Sequence, residues 1–195
     1  MLDPDVKSVT GKYINKKIDR RSFLIATGVF AGSVTFGSLL SYYYKNSLKS
    51  SPFNKYQDKI LKEVQEHLFP HSDDSPGASE INALHYLHFV LTDPDIDEDN
   101  KNVIISGVNW LEEECKTTYN KSFLELSFEE KDAIFKDIED TNWGYRWLSL
   151  NLTYIFEALL SDPIYGGNTS EIGWEWLKHT SGLPRPTSDN MYGKS

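Results

Sequence analysis

NWGYRWLSLNLTYIFEALL, residues 142–160, is the stretch on which the fold turns. Trp143, Tyr145, Trp147, Leu148, Leu152, Tyr154, Ile155 and Phe156 fall on most faces of a helix rather than on one stripe. That pattern predicts a helix at the centre of a domain. Towards the N-terminus, Ser127 with Glu130 three residues on is a capping-box signature, which predicts a helix to about 139. Val103, Ile104, Val108, Trp110 and Leu111 predict another over 102–119, and "TDPDIDEDN" before it reads as a break. Ile81, Leu84, Leu87 and Val90 predict a helix from Ala78 or Ser79 to Leu91. Tyr56, Ile60, Val64 and Leu68 predict one over 53–68, stopped by Pro70. Strand-like alternation is almost absent. The expectation is an all-α domain of about five helices over 55–195, with a linker at 45–54.

The C-terminal side differs. "LLSDPIYGGNTSEIGWEWLKHTSGLPRP", residues 159–186, mixes turn formers with aromatics. Asp162-Pro163 ends the central helix, and Gly166-Gly167-Asn168 suits a tight turn. Pro184-Arg185-Pro186 predicts a stiff, extended tail. An irregular, aromatic-rich segment is expected here.

Charge is unevenly spread. The 195 residues carry a net −9, yet residues 1–50 hold eight Lys/Arg against three Asp/Glu, a net +5, which leaves −14 for the rest. A chain of this length suits one domain with a real core. An acidic body argues against nucleic acid, whose phosphates need clustered Lys and Arg. The N-terminal part places Lys7, Lys12, Lys16, Lys17, Arg20 and Arg21 ahead of an uncharged run, 22–44. Basic head followed by apolar run is the layout of a secretory signal or anchor helix. The run is long enough to span a bilayer but is diluted by Gly28, Gly32 and Gly37. Arg20-Arg21 with Phe23 and Leu24 resembles the twin-arginine signal, which exports proteins already folded. Asp19 departs from the usual Ser or Thr, and no A-x-A cleavage site follows. A membrane anchor using the general secretory route is the other reading of 1–44.

His67, His71, His85 and His88 lie close in sequence, and His85 and His88 share a helical face with metal-ligand spacing. The paired Glu-x-x-His of di-iron bundles and the C-x-x-C-H haem attachment are both missing, so solvated or packed histidines are expected. Asp93, Asp95, Asp97 and Asp99 alternate like a calcium loop but lack its Gly and bidentate Glu. Cys115, the single cysteine, stands beside Glu112, Glu113 and Glu114, which disfavour a reactive thiolate. The Asp162, Pro163, Tyr165, Gly166, Gly167, Asn168 stretch is either a partner loop or a demanding structural turn. Trp174 and Trp176, two apart, point from different faces of any helix, so one can pack inside and the other face a partner. No nucleophile–base pair, phosphate loop or dinucleotide fingerprint is visible.

"LFPHSDDSPGASE" and, above all, "SDPIYGGNTSEIGWEWL" with its closing Gly-Leu-Pro-Arg-Pro resemble the small subunit, subunit 3, of membrane-bound gluconate 2-dehydrogenase. The resemblance implies a non-catalytic subunit without a cofactor of its own. Its partner would be a large flavoprotein that binds FAD and oxidises a sugar acid or related polyol. A cytochrome c subunit commonly carries the electrons on. It further implies that this chain matures the large subunit and takes it through the twin-arginine translocase, to the periplasmic side of the cytoplasmic membrane. The surplus of Trp and Tyr near the C-terminus, with Pro184, Arg185 and Pro186, leads to the expectation that residues 174–186 face that partner. A self-sufficient metal enzyme built on the His67–His88 region is the alternative from another class, and a membrane-anchored structural protein is a third reading.

Overall fold

Thr141 opens the central helix: its hydroxyl accepts a hydrogen bond from the Gly144 amide at 3.0 Å. The computed structural model describes residues 51–192. The expectations for 1–44, including Arg20, Arg21, Phe23 and Leu24, and for linker residues 45–50 lie outside the described residues. Within them the chain forms six α-helices and no strand: α1 (Lys55–Leu68), α2 (Ala83–Thr92), α3 (Glu98–Tyr119), α4 (Phe128–Glu139), α5 (Asn142–Leu160) and α6 (Ile172–Leu177). α5 touches all five others, as its apolar richness predicts. None of the described helices is long and apolar enough to cross a membrane.

Local chemistry explains most boundaries. Asn54 caps α1 in a capping box with Gln57, and Ser127 caps α4 in a capping box with Glu130. Two starts differ from the periodicity. α2 begins at Ala83, four or five residues later than expected, because Asn82 stands in the left-handed region (φ 58°) and breaks the helical run. Residues 70–82 are instead a loop held by two carboxylates. Glu66 accepts from the amide of Ser79 at 2.9 Å, and Glu80 from that of Gly77 at 2.8 Å. α3 begins four residues early, at Glu98, because Asp97 caps it by accepting from the Asn100 amide at 2.9 Å. Glu98 and Asp99 then sit at the positive end of the helix dipole. The acidic run is thus mostly a helix start.

The main core joins α1–α5 around Trp147, Ile60, Leu61, Leu87, Ile104, Leu111, Phe123 and Ile134, all fully buried. The Trp147 ring lies on the backbone of α3 where Gly107 leaves room, and its Nε1–H donates to the Ile104 carbonyl at 3.3 Å. A smaller core of Ala78, Ile81, Ala83, Ile155, Ala158 and Leu159 lies under the 70–82 loop. Cys115 is buried, and burial, then Glu112 and Glu114, push its thiol up to about 12. It is a core residue with no thiolate chemistry at neutral pH.

Candidate functional site

Asp162 caps a short 3-10 turn, Pro163–Tyr165, by accepting from the Ile164 amide at 3.1 Å. The turn closes on Gly166 at φ 93°, a conformation that disfavours any side chain, and a Cβ there would stand 2.7 Å from the His85 ring. Gly166 accepts from the Asn82 side chain at 2.8 Å, which ties this loop to the start of α2. Gly167 and Asn168 turn inward and are buried. Asn168 is fully buried: its amide donates to the Ser161 carbonyl at 3.1 Å, and its Oδ1 accepts from the Gly173 amide at 2.7 Å. This half of the motif is a structural staple between the end of α5 and the start of α6.

Asn168, Ser170 and Glu171 all have positive φ (45°, 56° and 63°), which costs a non-glycine residue roughly 1–2 kcal/mol each. Arg185 helps to hold this strained run. Its Nε donates to Asp162 at 2.8 Å, its Nη1 to Glu171 at 2.5 Å, and its guanidinium lies 5.0 Å from the Trp174 ring centre. Pro184 and Pro186 flank it, with a cis bond between Leu183 and Pro184. The tail is therefore strapped back onto its own domain. Trp174 is buried and donates to the Leu160 carbonyl at 2.8 Å, whereas Trp176 is exposed. Of the 174–186 segment expected at a partner surface, Trp174 and Arg185 are taken up by contacts within the chain.

Asp162 is pushed up by burial and pulled down more strongly by Arg185 and the Ile164 amide, so its carboxyl sits below the ordinary aspartate range. A depressed carboxyl stabilises the fold fully above the unfolded-state pKa, and that stabilisation is lost as pH falls through the folded value. The strap is thus expected to loosen below about pH 4. Proteolysis at the exposed Leu183 should accelerate several-fold in that window. Arg185→Gln should show the faster cleavage already at pH 7, with no further step on acidification. Equal cleavage of both proteins at pH 7 would mean that the strap is held elsewhere.

Half-buried and exposed aromatics form a band across α1, α2, α5 and α6. Trp176 meets Phe69 (6.2 Å between ring centres), and Phe69 meets Phe156 (6.1 Å). Phe156 and Leu160 share an open groove of 520 Å³ with Tyr86, Thr153, Glu157 and Ser161. Tyr86 continues to Phe89 (6.1 Å) and Phe89 to Tyr165 (5.3 Å). The Tyr86 hydroxyl donates to Glu157 at 3.2 Å; burial, then Glu157, raise its pKa, so it stays protonated as a donor. The sequence marks Tyr165 and Trp176 as interface candidates and Phe156 only as part of the apolar central helix; it does not mark Phe69, Tyr86, Phe89, Leu160 or Leu177. The signal was present in α5: a helix apolar on most faces has more apolar surface than one core covers. Its buried stripe is Trp147, Leu148, Asn151, Tyr154, Ile155, Ala158 and Leu159, which leaves Phe156 and Leu160 outside.

The histidines separate. His67 packs on Phe128 and Phe135, and desolvation foremost lowers its pKa. His71 Nδ1 lies 2.7 Å from Glu80, and His88 Nε2 lies 3.0 Å from Asp58. His85 lies against Gly166. Among the described residues no three His, Cys, Asp or Glu side chains converge as a metal set.

Residues 55–182 match the family model described as gluconate 2-dehydrogenase subunit 3. The match begins at the first residue of α1 and ends before Pro184-Arg185-Pro186, so neither the Arg20-Arg21 pair nor that tail motif lies within it. No curated protein and no solved structure matches the chain.

Proposed function

The chain belongs to the gluconate 2-dehydrogenase subunit 3 family, and on that premise we propose that it is the non-catalytic small subunit of a periplasmic, FAD-dependent dehydrogenase of gluconate or a related sugar acid or polyol. In this reading the large subunit binds FAD and performs the oxidation, and a cytochrome c subunit takes the electrons. This chain keeps the flavoprotein in an FAD-competent shape and carries it through the twin-arginine route. The observation that carries the reading is the family match across the entire helical body, α1–α6. The logic of export supports it: a flavoprotein must fold around FAD before translocation, and one address on a preformed complex serves both chains. The basic head with Arg20-Arg21 supplies such an address. The body is far larger than an address requires, which supports a maturation role as well as carriage.

The test separates these roles. Replacing Arg20 and Arg21 by lysine keeps the charge and should leave both subunits in the cytoplasm, with periplasmic dehydrogenase activity reduced at least tenfold. Unchanged export of that variant would sink the twin-arginine step. In cells lacking this protein, a twin-arginine signal fused to the large subunit should restore its location but not its activity. Full activity of that fusion would refute maturation and leave only carriage.

A further inference from the structure

The aromatic band links side chains of α1, α2, α5 and α6 on the described surface. Three of the exposed apolar side chains off the band have neighbours that account for them. Phe128 covers His67, with ring centres 4.6 Å apart, and the Tyr56 hydroxyl donates to Glu112 at 2.9 Å. Trp110 packs against Trp143, centres 5.5 Å apart. Only the band gathers side chains from the end of α1, the outer face of α5 and the end of α6. Phe156, Leu160, Trp176 and Leu177 are all exposed there. Large aromatic side chains around a groove are the composition of interface hot spots, where a partner's bulky side chain is buried.

The mounting is rigid. Trp174 Nε1 holds the Leu160 carbonyl at 2.8 Å and thereby fixes α6 against the end of α5. Asn168 binds the same two segments through Ser161 and Gly173. A surface already held in its binding shape loses little freedom on association. The rim is acidic. Glu157 lines the groove, and Glu175 stands next to Trp176 in the sequence of α6, with Lys178 just past the helix end. The body as a whole carries −14 over residues 51–195. Membership of a family named for the third subunit of a dehydrogenase implies a multi-subunit complex, which makes another subunit the candidate to cover such a face.

We propose that the band centred on Phe69, Phe156, Leu160 and Trp176 is the docking surface for the large dehydrogenase subunit, which meets it with an apolar patch rimmed by Lys and Arg. This rests on the functional reading above and adds the place and the charge of the contact. The strapped tail contributes indirectly, by holding α6, rather than by touching the partner through Arg185.

The experiment is co-purification of the large subunit with the tagged full chain, co-expressed in the native host. The double variant Phe156→Arg/Trp176→Arg puts like charge against the basic rim and should reduce recovered flavoprotein more than tenfold. Phe128→Arg and Tyr145→Arg, at side chains more exposed than these and off the band, should change it less than twofold. Circular dichroism of each variant reports folding. Should the arginine pair unfold the chain, Leu160→Ser/Leu177→Ser replaces it with the same expected loss. In a third arm, Glu157→Gln/Glu175→Gln should flatten the fall in recovery between low and high salt, since screened attraction across the contact is what salt removes. Folded band variants that retain the large subunit would overturn the docking site while leaving the functional reading intact. Recovery of no flavoprotein with the wild-type chain would overturn that reading, and this proposal with it. An unchanged salt profile in the Gln pair would overturn the basic-rim assignment.

Discussion

Trp147→Ala lowers the unfolding free energy by about 3–5 kcal/mol, the largest loss expected from any single substitution in the chain. The ring is fully buried at the meeting point of α3 and α5, and its removal leaves a cavity that helices on both sides cannot close without moving. A double-mutant cycle with Gly107 makes the expectation specific. A Cβ at Gly107 would land on the Trp147 ring, so Gly107→Ala alone should destabilise. With the ring gone, the same substitution sits in an α-helix interior with space around it and should regain about 0.8–1 kcal/mol from helix propensity. Urea unfolding of the full chain and its variants, followed by circular dichroism, measures all four corners. Additive single and double losses would show that the indole–glycine contact does not hold α3 against α5.

Asn168→Ala should cost about 2–4 kcal/mol, because it strands the Gly173 amide and the Ser161 carbonyl in a buried place. Two companion variants test the cause. Asn168→Gly loses the same hydrogen bonds but accepts the positive φ without strain, so it should be roughly 1 kcal/mol more stable than the alanine form. Asn168→Asp can still accept from Gly173 but cannot donate to Ser161, and it buries a charge, so it should be no better than alanine. An alanine variant as stable as wild type would mean that α6 is held to α5 by Trp174 alone. Because α6 carries Trp176 and Leu177, the same substitution should also weaken recovery of the large subunit in proportion to the unfolding of this corner.

The sequence by itself determined what depends on near neighbours along the chain. The capping box at Ser127 and Glu130 closes within one helical turn, so it is legible without a structure, and α4 and α5 begin and end where the residues say. The all-α class follows from apolar spacing and the lack of alternation. The acidic body and the turn at Gly166 are equally local properties, and the Asp-Pro-Ile-Tyr-Gly-Gly-Asn motif is read directly as letters. The first turn of α2 was misread because Ala78 and Ile81 are apolar at helical spacing, yet Asn82 takes a left-handed φ of 58° that interrupts the run, and Glu66, from the preceding helix, holds the loop before it through the Ser79 amide. Only the tertiary structure decided which of two tryptophans two residues apart lies inside: Trp174 reaches the Leu160 carbonyl, and Trp176 has no such acceptor in its path. Only it paired Arg185 with Asp162, 23 residues away, turning the expected stiff, extended tail into a strap. And only it assembled Phe69, Tyr86, Phe156 and Trp176 into one band. Trp176 is marked in its own window and Phe156 only as part of an apolar helix, while Phe69 and Tyr86 are not marked at all, because a helix's period tells how many of its faces are apolar, whereas the neighbours that pack against it decide which face is left over.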